Sequence, residues 1–117
     1  MSLVDFSKEA KRLEKKPETF TRERLVEGDG FDIDIYVYTA PGKGIFHTCG
    51  KDEFFYVMKG EMEMLIEDKT TLVKEGEGIL AKADVKHRHS VPNKAWIIVT
   101  SKWPHKHVSY ENELKSS

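Results

Sequence analysis

At 117 residues and a formal net charge of −1, the chain has the length of one domain around one core, and 38% apolar with 33% charged residues excludes a disordered segment. Its basic residues are spread rather than massed, which excludes a nucleic-acid footprint, and no run approaches the roughly 18 apolar residues of a membrane helix. Asp5, Lys8 and Glu9 stand where a signal peptide needs an apolar run, and the single cysteine, Cys49, excludes an intrachain disulfide, so a cytoplasmic location is expected.

In chain order, Phe6, Ala10 and Leu13 recur at helical spacing and Pro17 forbids continuation, which predicts a short amphipathic helix over residues 5–15. The run from Lys8 to Lys16, interleaved with Glu9 and Glu14, is its solvated face. From Phe31 the period changes. The stretch Phe-Asp-Ile-Asp-Ile-Tyr-Val-Tyr puts Phe31, Ile33, Ile35 and Val37 on one side, as in a half-buried strand. Turn signals follow at Pro41-Gly42, Gly50-Lys51-Asp52, Lys59-Gly60, Asp68-Lys69, Glu75-Gly76, Asp84 and Pro92-Asn93. Between them lie Phe54–Val57, a run from Glu61 to Glu67 with Met62, Met64 and Ile66 alternating, and Ala95–Val99. Short strands at this spacing predict an antiparallel sandwich or barrel over about residues 31–101. The tail, residues 102–117, carries no clear signal, and its His105 and His107 are expected at the solvated surface.

The residues with chemistry gather where strands meet turns. His47 and Cys49 stand two apart and share a strand face, and a tight turn at residues 50–52 lets Glu53 open the next strand toward the same interior. His87 and His89 form a second such pair. The alternative for His47, Glu53 and His87 is ordinary polar side chains at strand ends.

His47, Glu53 and Gly60 resemble the first motif of the cupin family, a Gly, five residues, His-x-His, three or four residues, Glu, six residues, then Gly. The second His of that motif is Cys49 here, and Gly42 precedes His47 by four residues rather than five. The second motif resembles Gly76-Glu-Gly-Ile-Leu-Ala-Lys82-Ala-Asp84-Val-Lys-His87, with the usual Pro and Gly replaced by Lys82 and Asp84. Asp tolerates a left-handed turn, so the turn survives the replacement. The resemblance implies one all-β domain over residues 1–117, an antiparallel double-stranded β-helix or jelly-roll barrel behind a short N-terminal helix, and a homodimer.

It also implies one divalent transition metal, Fe, Mn, Ni, Co, Cu or Zn, held by His47, Cys49, Glu53 and His87, with His89 as a replacement ligand. A ligating Cys49 would be a thiolate and favour softer ions; otherwise it packs as a small hydrophobe. His89 is otherwise a pocket-lining or proton-transfer residue. Tyr36, Tyr38, Phe46, Phe55, Met62, Met64 and Trp96 are expected in the core or the pocket wall. The partner expected is a small organic molecule, not nucleic acid or membrane. The activities implied are dioxygenase-, isomerase- or decarboxylase-like, the alternatives being a non-enzymatic metal or metabolite sensor and a metal-free structural barrel.

Overall fold

A computed structural model describes residues 3–102 and 107–110. Asp5 opens the N-terminal helix: its Oδ1 accepts the Lys8 backbone N–H at 3.1 Å, and α1 (Phe6–Glu14) follows within one residue of expectation at each end. Ten strands follow among the described residues: β1 (Phe20–Glu27), β2 (Phe31–Tyr38), β3 (Gly42–Lys43), β4 (His47–Cys49), β5 (Glu53–Ile66), β6 (Lys69–Lys74), β7 (Gly78–Ala81), β8 (His87–Val91), β9 (Ala95–Lys102) and β10 (His107–Ser109). Every pairing is antiparallel, in the order β1-β2-β9-β5-β8-β4-β10, with β3 on β8 and both β6 and β7 on β5. The result is an all-β jelly-roll barrel with one short helix. No described helix is long and apolar enough to cross a membrane.

Three elements differ from the sequence expectation. Strand β1 lies in a stretch without apolar alternation; its residues Phe-Thr-Arg-Glu-Arg-Leu-Val-Glu form an edge strand with charged side chains on both faces. Lys59-Gly60 is not a turn. Strand β5 passes straight through it with a bulge between Val57 and Lys59, and Gly60 takes φ 82. A Cβ there would lie 2.0 Å from the Lys94 carbonyl oxygen, so glycine lets two backbones meet while the strand bends from one half of the barrel into the other. In the tail, β10 pairs with β4, setting Ser109 opposite His47 and His107 opposite Cys49. His105 and the His107 side chain lie outside the described residues.

Strand β2 is covered on both faces rather than one. Ile35 and Val37 pack beneath α1 with Ala10, Leu13 and Trp96, and Glu14 accepts the Trp96 indole N–H at 2.8 Å. Phe31 lies beyond the helix and is exposed. The opposite face, Asp32, Asp34, Tyr36 and Tyr38, turns inward. Arg24 holds Asp34 through its Nε at 2.9 Å and Asp32 through Nη1 at 3.5 Å. The barrel's apolar interior is built by Phe55, Val57, Met62, Met64, Val73 and Ile97, each worth about 1.5–3 kcal/mol on burial. Trp96, expected in core or pocket, belongs to the outer cluster under the helix.

Candidate metal centre

Three strands bring the site together. Strand β4 pairs with β8 so that His47 stands directly across from His87. The bend at residues 50–52 returns the chain, and Glu53 is the first residue of β5. On the far side Asp84 takes φ 64, the left-handed conformation expected of the residue that replaces glycine there. Its N–H donates to the Cys49 carbonyl at 2.8 Å, while Asp52 Oδ1 accepts from the Ala83 N–H at 2.8 Å, which ties the two motif turns to each other.

Each ring is aimed by its backbone. Nδ1 of His47 lies 3.0 Å from the Ile45 carbonyl and Nδ1 of His87 lies 3.0 Å from the Val85 carbonyl. A carbonyl only accepts, so both Nδ1 atoms carry the proton and both Nε2 atoms face inward. They meet one oxygen: Glu53 Oε1 is 2.9 Å from His87 Nε2 and 3.3 Å from His47 Nε2. All three residues are buried, so they are not polar groups left at strand ends. Lone pairs facing each other at this distance repel unless a proton or a metal cation lies among them.

Glu53 sits well below the usual carboxylate range. Burial opposes this, and the hydrogen bonds and charge of His47 and His87 outweigh it. His47 is shifted up, with burial again opposed and overcome by Glu53 and the Ile45 carbonyl. The site therefore favours the carboxylate form of Glu53.

The donor set fits a divalent transition metal. The three ligand atoms lie within 4.8 Å of one another, the only such group among the described residues. Ligands about 2.1 Å from one ion and about 90–109° apart are about 3.0–3.4 Å from each other, close to the separations above. Two imidazoles and a carboxylate suit the borderline ions from Mn to Zn.

A sequence profile of the cupin domain matches residues 36–101, just over half of the chain. The chain belongs to this family. A comparison with curated proteins returned no match. Among solved structures, this cupin is similar to a conserved protein of unknown function from Streptococcus pyogenes, at 17% identity and a TM-score of 0.74, covering 88% of both chains. It is also similar to a cupin superfamily protein from Desulfitobacterium hafniense, at 12% identity and a TM-score of 0.72, covering 80% of this chain and 85% of that one. A third is salicylate 1,2-dioxygenase from Pseudoaminobacter salicylatoxidans, solved as adducts with gentisate, at 14% identity and a TM-score of 0.71. That match covers 90% of this cupin but 34% of the dioxygenase. These likenesses establish the fold.

The group the barrel assembles is narrower than the set suggested by spacing. Cys49 shares the buried face of β4 with His47 but falls outside the three-residue group. Two residues of strand advance the chain by about 6.6 Å, and a thiol lacks the reach of an imidazole to recover that distance. Burial raises its pKa, against a backbone N–H from Lys51 that lowers it. His89 is also outside the group. Its Nε2 is hydrogen-bonded to the Tyr38 hydroxyl at 2.7 Å, and burial pushes its pKa down to about 4.

Beside the three candidate ligands opens a cavity of about 480 Å³, within the range of small-molecule sites. His47, Glu53 and His89 line its floor and Tyr36, Tyr38 and Phe55 its wall, while His87 is fully buried behind them. Gly44 closes one side, where a Cβ would lie 2.4 Å from the His89 ring. Phe20, Arg22, Lys43 and Ile45 also line it and carried no sequence signal of their own. For Phe20 and Arg22 the signal is visible only after pairing: they stand opposite Tyr38 and Tyr36 on β2. Of the remaining expected wall residues, Met62 and Met64 lie in the apolar core, and Phe46 is buried beside Tyr110 with ring centroids 6.5 Å apart.

Proposed function

We propose that this cupin holds one divalent transition-metal ion on His47, Glu53 and His87 and uses it to bind and transform a small organic molecule in the cavity above. The observation that supports this is the convergence of two Nε2 atoms and one carboxylate oxygen at the floor of an aromatic-walled cavity that is open to solvent. Three protein ligands leave coordination positions for a substrate, whereas a fourth from Cys49 would close the shell. A bound ion supplies Lewis acidity, a template for a chelating ligand and, with Fe(II), reactivity toward dioxygen. The likeness to salicylate 1,2-dioxygenase shows that a barrel of this fold serves a dioxygenase, and the choice among dioxygenase-, isomerase- and decarboxylase-like chemistry falls to the spectral test below.

The chain's own residues have separable tasks. The carbonyls of Ile45 and Val85 fix the imidazole tautomers. Phe55 and Tyr36 give the cavity an apolar, aromatic wall. Tyr38, held by His89, presents a hydroxyl oxygen at the cavity wall within reach of a bound ligand.

The test is metal analysis of protein purified without a chelating column, beside His47→Ala and His87→Ala variants. Near-stoichiometric metal in the wild type and its loss in both variants is expected. Indistinguishable, substoichiometric metal in all three would sink the proposal. Anaerobic Fe(II) loading followed by a ligand-dependent spectral change then reads the open coordination position.

A further inference from the structure

The charge around the cavity is lopsided. Its one carboxylate, Glu53, is engaged by two histidines, while two cationic side chains, Arg22 and Lys43, also line it. A divalent ion at the floor would add two further positive charges. No second acidic side chain among the described residues lines the cavity to balance them.

Arg22 is held in place without being used up. Its guanidinium carbon lies 5.7 Å from the Tyr36 ring centroid, and its Nη2 makes one long contact, 3.3 Å, to Asp34 Oδ2. Asp34 already has a closer partner in Arg24, 2.9 Å away. Most of the five N–H donors of Arg22 therefore remain for a ligand. Lys43 makes no ion pair among the described residues, and the tight passage of Gly44 over His89 holds its segment against the cavity. The wall between floor and rim is aromatic: Phe20 stacks on Tyr38 with centroids 4.5 Å apart and meets Tyr36 edge-on at 5.7 Å.

We infer that the cavity takes a small planar organic carboxylate, its carboxyl group paired with Arg22 in the field of Lys43 and its unsaturated ring against Phe20, Tyr36 and Tyr38. A planar guanidinium matches a carboxylate in two-point geometry, aromatic walls prefer the face or edge of a flat ring, and the cavity has room for such a ring with its substituents. The inference rests on reading this cavity as the ligand chamber of the proposed metal site. It adds the ligand's charge and shape.

The test titrates benzoate, benzamide and cyclohexanecarboxylate into chelator-stripped protein, following amide shifts by NMR, with Co(II) uptake measured separately. Benzoate is expected to bind saturably and about tenfold more tightly than benzamide or cyclohexanecarboxylate. Arg22→Gln should weaken benzoate about tenfold and erase its advantage over benzamide, Arg22→Lys should fall between, and Lys43→Gln should cost about threefold. The same spectra report whether each variant is folded. Equal binding of benzoate and benzamide, or benzoate affinity indifferent to Arg22→Gln, overturns the carboxylate contact. Cyclohexanecarboxylate binding as well as benzoate overturns the planar part. Co(II) uptake with no carboxylate preference leaves the metal site standing and removes this inference. Carboxylate preference without Co(II) uptake does the reverse.

Discussion

Strand β5 runs through two interiors of opposite character. Beyond Phe55 it contributes Val57, Met62 and Met64 to a dry core shared with Val73 and Ile97. At its first residue it contributes Glu53, facing His47 and His87. In the dry end many side chains share one task, so each loss costs stability and leaves chemistry alone. At the polar end three ligand-type atoms converge within 4.8 Å of one another, and no other described residue joins them. The buried Asp32 and Asp34 elsewhere in the barrel are offset by Arg24, whereas the cluster at Glu53 has two imidazoles and room for a ligand to repay its desolvation.

Substitutions at the two ends should separate these properties. The largest expected effect is at the dry end: Ile97→Ala, at a fully buried position, should destabilise the fold by about 2–5 kcal/mol in chemical denaturation while metal stoichiometry holds. At the polar end Glu53→Gln should do the converse. Metal affinity should drop about a hundredfold or more in a competitive chelator titration, about 2.7 kcal/mol, and wild-type affinity in this variant would remove Glu53 from the ligand set.

Smaller changes sharpen the boundary. Glu14→Ala removes the acceptor of the Trp96 indole on the outer cluster and should cost about 1 kcal/mol in thermal unfolding, with no effect on metal. Cys49→Ala should change metal affinity by less than about threefold, since the thiol is outside the ligand group. A tenfold loss would restore it as a fourth ligand.

The last effect appears only in alkali. Burial, opposed by the charge of Arg22, pushes the Tyr36 hydroxyl up to about 12, so the folded state prefers the neutral phenol. The unfolded chain ionises near pH 10, so stability should fall as pH climbs from about 10 toward 12. Tyr36→Phe should flatten that part of the profile, and absorbance at 295 nm should show a tyrosine titrating late.

Much of this was legible before folding. Helix α1 shows in the spacing of Phe6, Ala10 and Leu13, and the site trio in the order and spacing of His47, Glu53, Gly60, Gly76 and His87. What escaped was whatever lacks local contrast. Strand β1 has no apolar stripe because its partners are the inward carboxylates and phenols of β2 rather than a core. Gly60 resembled a turn because a bulge and a turn ask the same φ of glycine, and only the approach of Lys94 distinguishes them.

By itself the sequence determined which atoms can ligate and the turns that carry them, because residue type and spacing are local properties. Tertiary structure decided which of those atoms meet. His47 reaches His87 through the pairing of β4 with β8, whereas Cys49 and His89, placed as well by spacing, fall outside the group. A strand advances too far in two residues for a short thiol to follow, and the Tyr38 hydroxyl, distant in sequence, engages the His89 ring.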